Sequence, residues 1–371
     1  MNRHTRTYSR LRQRLGALMA LLAVVSGMAV SSCDSTIHEY PDAPCSNNVR
    51  LAIIPIADHQ APPVRFRELT YSNDWKLSER PLSPEPSPNF AVPADSRSRI
   101  VLEVLRIVED RNGESHQLVS RRVVSLDAFV DPLRDTVSFS LPEGRYKVLA
   151  WSDLHTEAEV PYSADDLRNI RYDFENMPLP PDRKAALCAS LDVTLSRGTP
   201  NCSAPASCPV QVVEMHLSRP TARYSVIATG GCPYSGPVTA KVVYRQYVSV
   251  GYNTLTAETN SFVNQYSFNC VLPVVPTAHQ ELEILADHIL VADGKVDYVK
   301  ADFYFFDAAG RQISCARDIE IPLRASYETV LRGPFLNSSV TDGGDVSIDD
   351  NFAGEIIVPL RSSAFPNQLN L

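Results

Sequence analysis

The stretch TVSFSLPEGRYKVLAW, residues 136–151, sets the reading of this chain. Val137, Phe139 and Leu141 alternate with polar residues, Pro-Glu-Gly at 142–144 makes a turn, and Tyr146, Val148 and Ala150 alternate opposite Lys147, Leu149 and Trp151. Successive side chains of a strand point to opposite faces, so period two on both sides of a turn predicts two half-buried strands.

Working outward, VRLAIIPIAD (49–58) reads as a first strand, with Pro55 marking an edge or a bend because proline cannot donate to a ladder. RIVLEVLRIVED (99–110), the turn RNGES and HQLVSRRVVSL read as a hairpin. Residues 61–95 are rich in proline, five of them within 81–93, and read as an exposed loop or extended connection, as do residues 181–210. SADDLRNI (163–170) suggests one short helix capped by Ser163. HQELEILADHILV (279–291) suits a helix or an irregular bridge with a strand inside it.

A second group of strands starts near 211. Val213, Met215 and Leu217 follow period two, Pro220 breaks the run, and Tyr224–Ala228 resumes it. The turn DAAGR (307–311) separates two further strands, and GEIIVPL (354–360) closes the series. About fourteen short strands with Gly/Pro turns and few helical stretches predict an all-β chain of two sandwiches. The apolar faces of two stacked sheets bury one another about 10 Å apart.

The N-terminus carries a different pattern. MNRHTRTYSRLRQR has five arginines and no acid, and LGALMALLAVVSGMAV follows without a charge. A basic region before a short apolar one is the layout of an export signal, and the apolar run is shorter than the roughly 20 residues a membrane-spanning helix needs. VSSC (30–33) looks like a bacterial lipobox, with Cys33 as the first mature residue and its thiol as the lipid attachment point. Several acyl chains anchor a protein stably where one holds it only marginally.

Removing residues 1–32 leaves 339 residues with a formal charge of −13, since all five basic residues lost are arginines. So negative a chain is unsuited to nucleic acid, whose backbone needs cationic partners, and to electrostatic attachment to an anionic lipid surface. Beyond Cys33 there are seven cysteines, an odd number, so at least one thiol is free or paired outside the chain. Cys202 and Cys208, in PNCSAPASCP, are the candidate disulfide, closing a small Pro/Ser loop. Tight CxxC pairs with histidines at ligand spacing are absent, so no metal site is expected. No HExxH, phosphate loop or G-x-S-x-G elbow occurs, and neither a cofactor nor an enzymatic activity is expected. His38, His59 and His155 lie beside acidic or polar residues and read as surface hydrogen bonds. The acidic stretch 341–355 fails as an EF-hand, with Ala353 at a ligand position and Leu360 where the bidentate glutamate belongs.

EGRYKVLAWSDL, MHLSRPTARYSVIATG, YETVLRGPFL and GGDVSIDDNFAGEIIVPL, with the early SSCDSTIHEYPD, together resemble the fimbrillin superfamily of Bacteroidetes. The likeness is strongest to its lipoprotein anchor and accessory subunits of the FimB type. The resemblance implies two tandem transthyretin-like β-sandwich domains, attachment to the outer membrane through Cys33, exposure at the cell surface, and other fimbrial subunits as partners. It also implies joining by β-strand addition, in which main-chain bonds give affinity and alternate side chains fill pockets. The expected organisation is a signal peptide over 1–32, a tether over 33–48, an N-terminal sandwich over 49–210 and a C-terminal sandwich over 211–371. A second reading is a surface glycan-binding lipoprotein. It requires a coplanar, exposed aromatic pair among Trp75, Tyr247, Tyr252 and Tyr266 to stack on sugar rings.

Overall fold

The computed structural model describes residues 48–337 apart from 74, 112, 127–135, 174–180, 197–209, 231–235 and 273–280. The described residues form twenty strands in five sheets and one short 3-10 turn, Pro181–Lys184. The fold is all-β.

The first sheet is three-stranded: β11 (Val210–His216), β1 (Asn48–Ile56) and β6 (Val137–Pro142), with β1 in the middle. It faces a four-stranded sheet of β10 (Ala186–Leu195), β7 (Gly144–His155), β4 (Arg97–Asp110) and β5 (Gly113–Ser125). Val49, Leu51 and Ile53 from one sheet and Ile100, Leu102, Val104, Val148 and Ala150 from the other meet in this core. The Pro-Glu-Gly turn therefore does not close a hairpin. It carries the chain from one sheet to the one opposite, and the Tyr146 hydroxyl ties the turn by donating to the Pro142 carbonyl at 2.8 Å.

The strand after that turn is buried on both faces, not half-buried. Leu149 and Trp151 point away from the first core into a third layer, a sheet of β15 (Glu258–Val263), β14 (Val248–Asn253), β9 (Ile170–Tyr172) and β8 (Tyr162–Ser163). At the bulge where β14 meets β15, a Cβ on Gly251 would lie 2.6 Å from that of Ser261, so only glycine fits there.

The remaining strands make a sandwich. Its first sheet runs β17 (Leu282–Leu290), β12 (Thr221–Ala228), β20 (Tyr327–Gly333), β2 (Val64–Tyr71) and β3 (Leu77–Pro86). Its second runs β16 (Ser267–Val271), β13 (Thr239–Tyr244), β18 (Val296–Phe306) and β19 (Gln312–Arg324). Tyr224, Val226, Val242, Phe303, Phe305, Ile319 and Leu331 lie in the core between them.

Among the described residues, pairing between strands crosses residue 210/211 three times. β11 pairs in parallel with β1, β2 pairs in parallel with β20, and β14 pairs with β9. Other expectations need correction. Residues 61–95 are not a loop: they contain β2 and β3, and Pro81, Pro84 and Pro86 are tolerated because, among the described residues, β3 is outermost and pairs only with β2. Residues 181–210 hold the 3-10 turn and β10. SADDLRNI is no helix but a turn between β8 and β9, closed by Asn169 N–H to the Asp166 carbonyl and Arg168 N–H to its carboxylate. Within 279–291 the chain is strand over 282–290. Pro55 lies in a central strand, but pairing with β6 ends at Ile53, so beyond that point β1 has a neighbour on one side only among the described residues.

Candidate functional site

Two features of the fold bear on how the protein works: the polar joint beneath the 3-10 turn and the placement of β1. In the joint, three consecutive residues of one short turn reach five different partners. Asp182 accepts from Arg223 Nε at 3.1 Å and His288 Nε2 at 3.2 Å. Arg183 reaches Asp95 at 2.6 Å and Glu159 at 3.1 Å. Lys184 reaches Asp287 at 2.7 Å, with the rings of Tyr172, Tyr266 and Phe268 around its ammonium.

β12 explains why charge gathers here. Its eight residues are all buried, with Ala222, Tyr224 and Val226 in the core and Thr221, Arg223 and Ser225 on the other face. A charge on that face must be paired to be tolerated. Arg223 is ringed by Asp182, Glu283 at 2.6 Å and Glu328, with which it forms a short ion pair. Tyr244 donates to Asp287 at 2.7 Å, and its hydroxyl lies 2.7 Å from that of Tyr224. Burial opposes the Lys184 charge, but Asp287 and the tyrosines outweigh it, so its pKa is raised. Burial likewise opposes ionisation of Asp182, and His288 and Arg223 outweigh it in holding the carboxyl below its usual range. The segment 87–95 straps this joint: Asn89 donates to Glu283, Phe90 lies 4.7 Å under the Arg219 guanidinium, and Asp95 holds Arg183.

β1 begins where the described chain begins. It runs antiparallel to β6 from Asn48↔Pro142 to Ile53↔Val137 and parallel to β11 from Arg50↔Val210 to Ile56↔His216. The outermost strands of the sheets expose apolar side chains, Val210 and Val212 on β11, Leu118, Val119 and Val123 on β5, and Val271, 72% exposed, on β16.

Cys33, Cys202 and Cys208 lie outside the described residues, as do the acidic stretch 341–355 and GEIIVPL. Cys188 and Cys270 are free thiols, and burial pushes Cys188 up to about 12. The structure does not bring together the four aromatics proposed for sugar stacking. Trp75 packs edge-on against Phe335 at 5.4 Å, Tyr252 is buried beside Trp151, and Tyr266 stacks on buried Tyr244 at 5.9 Å. Of the four, Tyr247 alone is exposed, at 68%, while Trp75 and Tyr266 are half-buried, so they supply no exposed pair. A cleft of about 550 Å³ is lined by Asp95, Arg97, Thr156, Glu157, Ala158, Glu159 and Arg183, whose charges pair with one another. Among the described residues, no three His, Cys, Asp or Glu side chains are grouped to hold a metal ion, and no helix is long and apolar enough to cross a membrane.

The buried joint, the third layer and the central β1 were not legible in the sequence. Arg223, Asp287 and Lys184 are ordinary charged residues until β12 and β17 are known to be buried. The one signal available was the run TARYSVIA, whose polar residues sit at period two within an otherwise apolar strand.

The profile of DUF6562, described as a family of unknown function, matches residues 84–368, and the chain belongs to that family. It matches no curated protein. Among solved structures it is similar to the fimbrial anchor protein Mfa2 from Porphyromonas gingivalis, at 14% identity over 73% of this chain and 82% of that one, with a TM-score of 0.33. It is similar to a "putative cell adhesion protein" from Bacteroides eggerthii, at 12% identity over 80% and 90% and a TM-score of 0.37. The tip fimbrial protein Mfa3 from Porphyromonas gingivalis, with a C-terminal truncation, matches at 9% identity over 74% and 81%, TM-score 0.30.

Proposed function

We propose that this protein is a non-catalytic surface lipoprotein that serves as a fimbrial anchor or accessory subunit, held at the outer membrane through lipid on Cys33. The reading keeps two bodies, 49–210 and 211–371, interlocked by the strand exchanges across residue 210/211. The observation that carries it is the order of parts at the N-terminus: a lipobox-like VSSC, fourteen residues of polar tether from Asp34 to Asn47, then a strand seated in the middle of a sheet. Fully extended, that tether reaches at most about 50 Å, so it holds the β-layers close to the lipid. The resemblance to fimbrillin lipoproteins in the quoted segments supports the same reading. Partner subunits would join at outermost strands, where unpaired main-chain groups and the exposed valines of β11, β5 and β16 are available.

The test is Cys33→Ser expressed in the native cell. The parent is expected to stay with membranes through a carbonate wash, and the variant to be released or left unprocessed with its β-structure intact. A variant that remains with the washed membranes as the parent does would refute the anchor.

A further inference from the structure

We infer that β1 is a mechanical clamp, pulled in shear when force passes through the anchored protein; this rests on the reading of Cys33 as the anchor. The strand registers fix where a load enters and where it leaves. Asn48 lies beside Pro142, and Gly144 lies opposite Leu195, so the tether joins one end of the first two layers. Ala186 lies opposite Asp153 at their other end, where the 3-10 turn meets β12 and β17. In the second sandwich, Tyr244 and Ala301 lie at the joint, while Thr239 and Phe306 lie at the far end beside the 307–311 turn. Asn48, where the tether enters, and that turn are therefore at opposite ends of the strand ladders.

A pull on the tether runs back along β1, against the direction in which the strand enters the sheet. Backbone hydrogen bonds in a sheet lie across the strands, so such a pull loads both ladders of β1 at once. The parallel ladder to β11 spans seven register positions and the antiparallel ladder to β6 spans six. Slipping by one residue would turn Val49, Leu51 and Ile53 out of the core and Arg50 and Ala52 into it. The clamp also hands the load onward. Leu217 N–H donates to the Ile56 carbonyl, Ser218 bridges to Cys188 on β10, and the chain then enters β12 after Pro220. Peeling is different: separating Asn48 from the adjacent 142–144 turn opens the β1–β6 ladder one pair at a time.

Single-molecule pulling on the full mature chain tests this with two pairs of attachment points, Asn48 with Ala309 and Asn48 with Glu143. The first, loading β1 in shear, is expected to rupture at several-fold higher force than the second, which peels it. Comparable forces in the two geometries would overturn the clamp. Release of the parent protein from carbonate-washed membranes would instead overturn the anchor on which the inference rests, whatever the force contrast.

Discussion

His59 shows how far a single residue departs from its sequence context. Next to Asp58 it reads as a surface hydrogen bond, yet it is buried, with Nε2 2.8 Å from Ser152 Oγ. The Ser152 hydroxyl donates its proton to the Arg99 carbonyl, so the imidazole must donate from Nε2 and leave Nδ1 as a buried lone pair without a partner among the described residues. Burial first, then the Arg219 guanidinium, against an opposing pull from Asp58, lowers its pKa from 6.5 to about 3. The unfolded chain therefore binds the extra proton between those two values, so stability falls as pH drops from 6.5 toward 3. The expected loss from this residue is about 2 kcal/mol between pH 7 and pH 5. His288, also lowered chiefly by burial, adds in the same direction. Urea titrations at both pH values should show a shallower pH dependence for His59→Gln, and an unchanged slope would count against this account.

At the scale of elements, alternation revealed strands and composition concealed them. β4, β5, β12, β18 and β19 follow patterns visible in the sequence, as apolar, β-branched runs bounded by turn residues. β3 was hidden by its prolines, which signal a loop unless the strand is known to be outermost. The 3-10 turn was hidden because four residues carry no period. Its importance rests on burial: Lys184 and Asp287 pair at 2.7 Å with side chains 6% and 1% exposed. Removing one member of such a pair strands the other, so Lys184→Met should cost about 3–5 kcal/mol. Adding Asp287→Asn should recover most of it, because the amide keeps an acceptor for Tyr244 without the charge. Equilibrium unfolding in urea measures both. A loss below about 1 kcal/mol for the single variant would mean the pair is worth no more than an exposed one.

For the whole molecule, the exchanges across residue 210/211 decide how it unfolds. Neither sandwich keeps its sheets if the other is removed: the first needs β11 and the β14–β15 hairpin, and the second needs β2 and β3. The described strands should therefore melt in one transition, with calorimetric and van't Hoff enthalpies in agreement. Two resolved transitions, each removable by truncation at residue 210, would show independent bodies instead. Alternating hydrophobicity, turn residues and the absence of long helical periods were enough to determine an all-β chain, and the charged-then-apolar leader ending at Cys33 was enough to predict an anchor. Which sheet each strand joins, which faces are doubly covered and where the charges are buried were decided only by tertiary structure. The period-two pattern records that a strand has an inside, but partners more than a hundred residues away, such as Arg50 and Val210 or Val64 and Tyr327, leave no mark in the local order of residues.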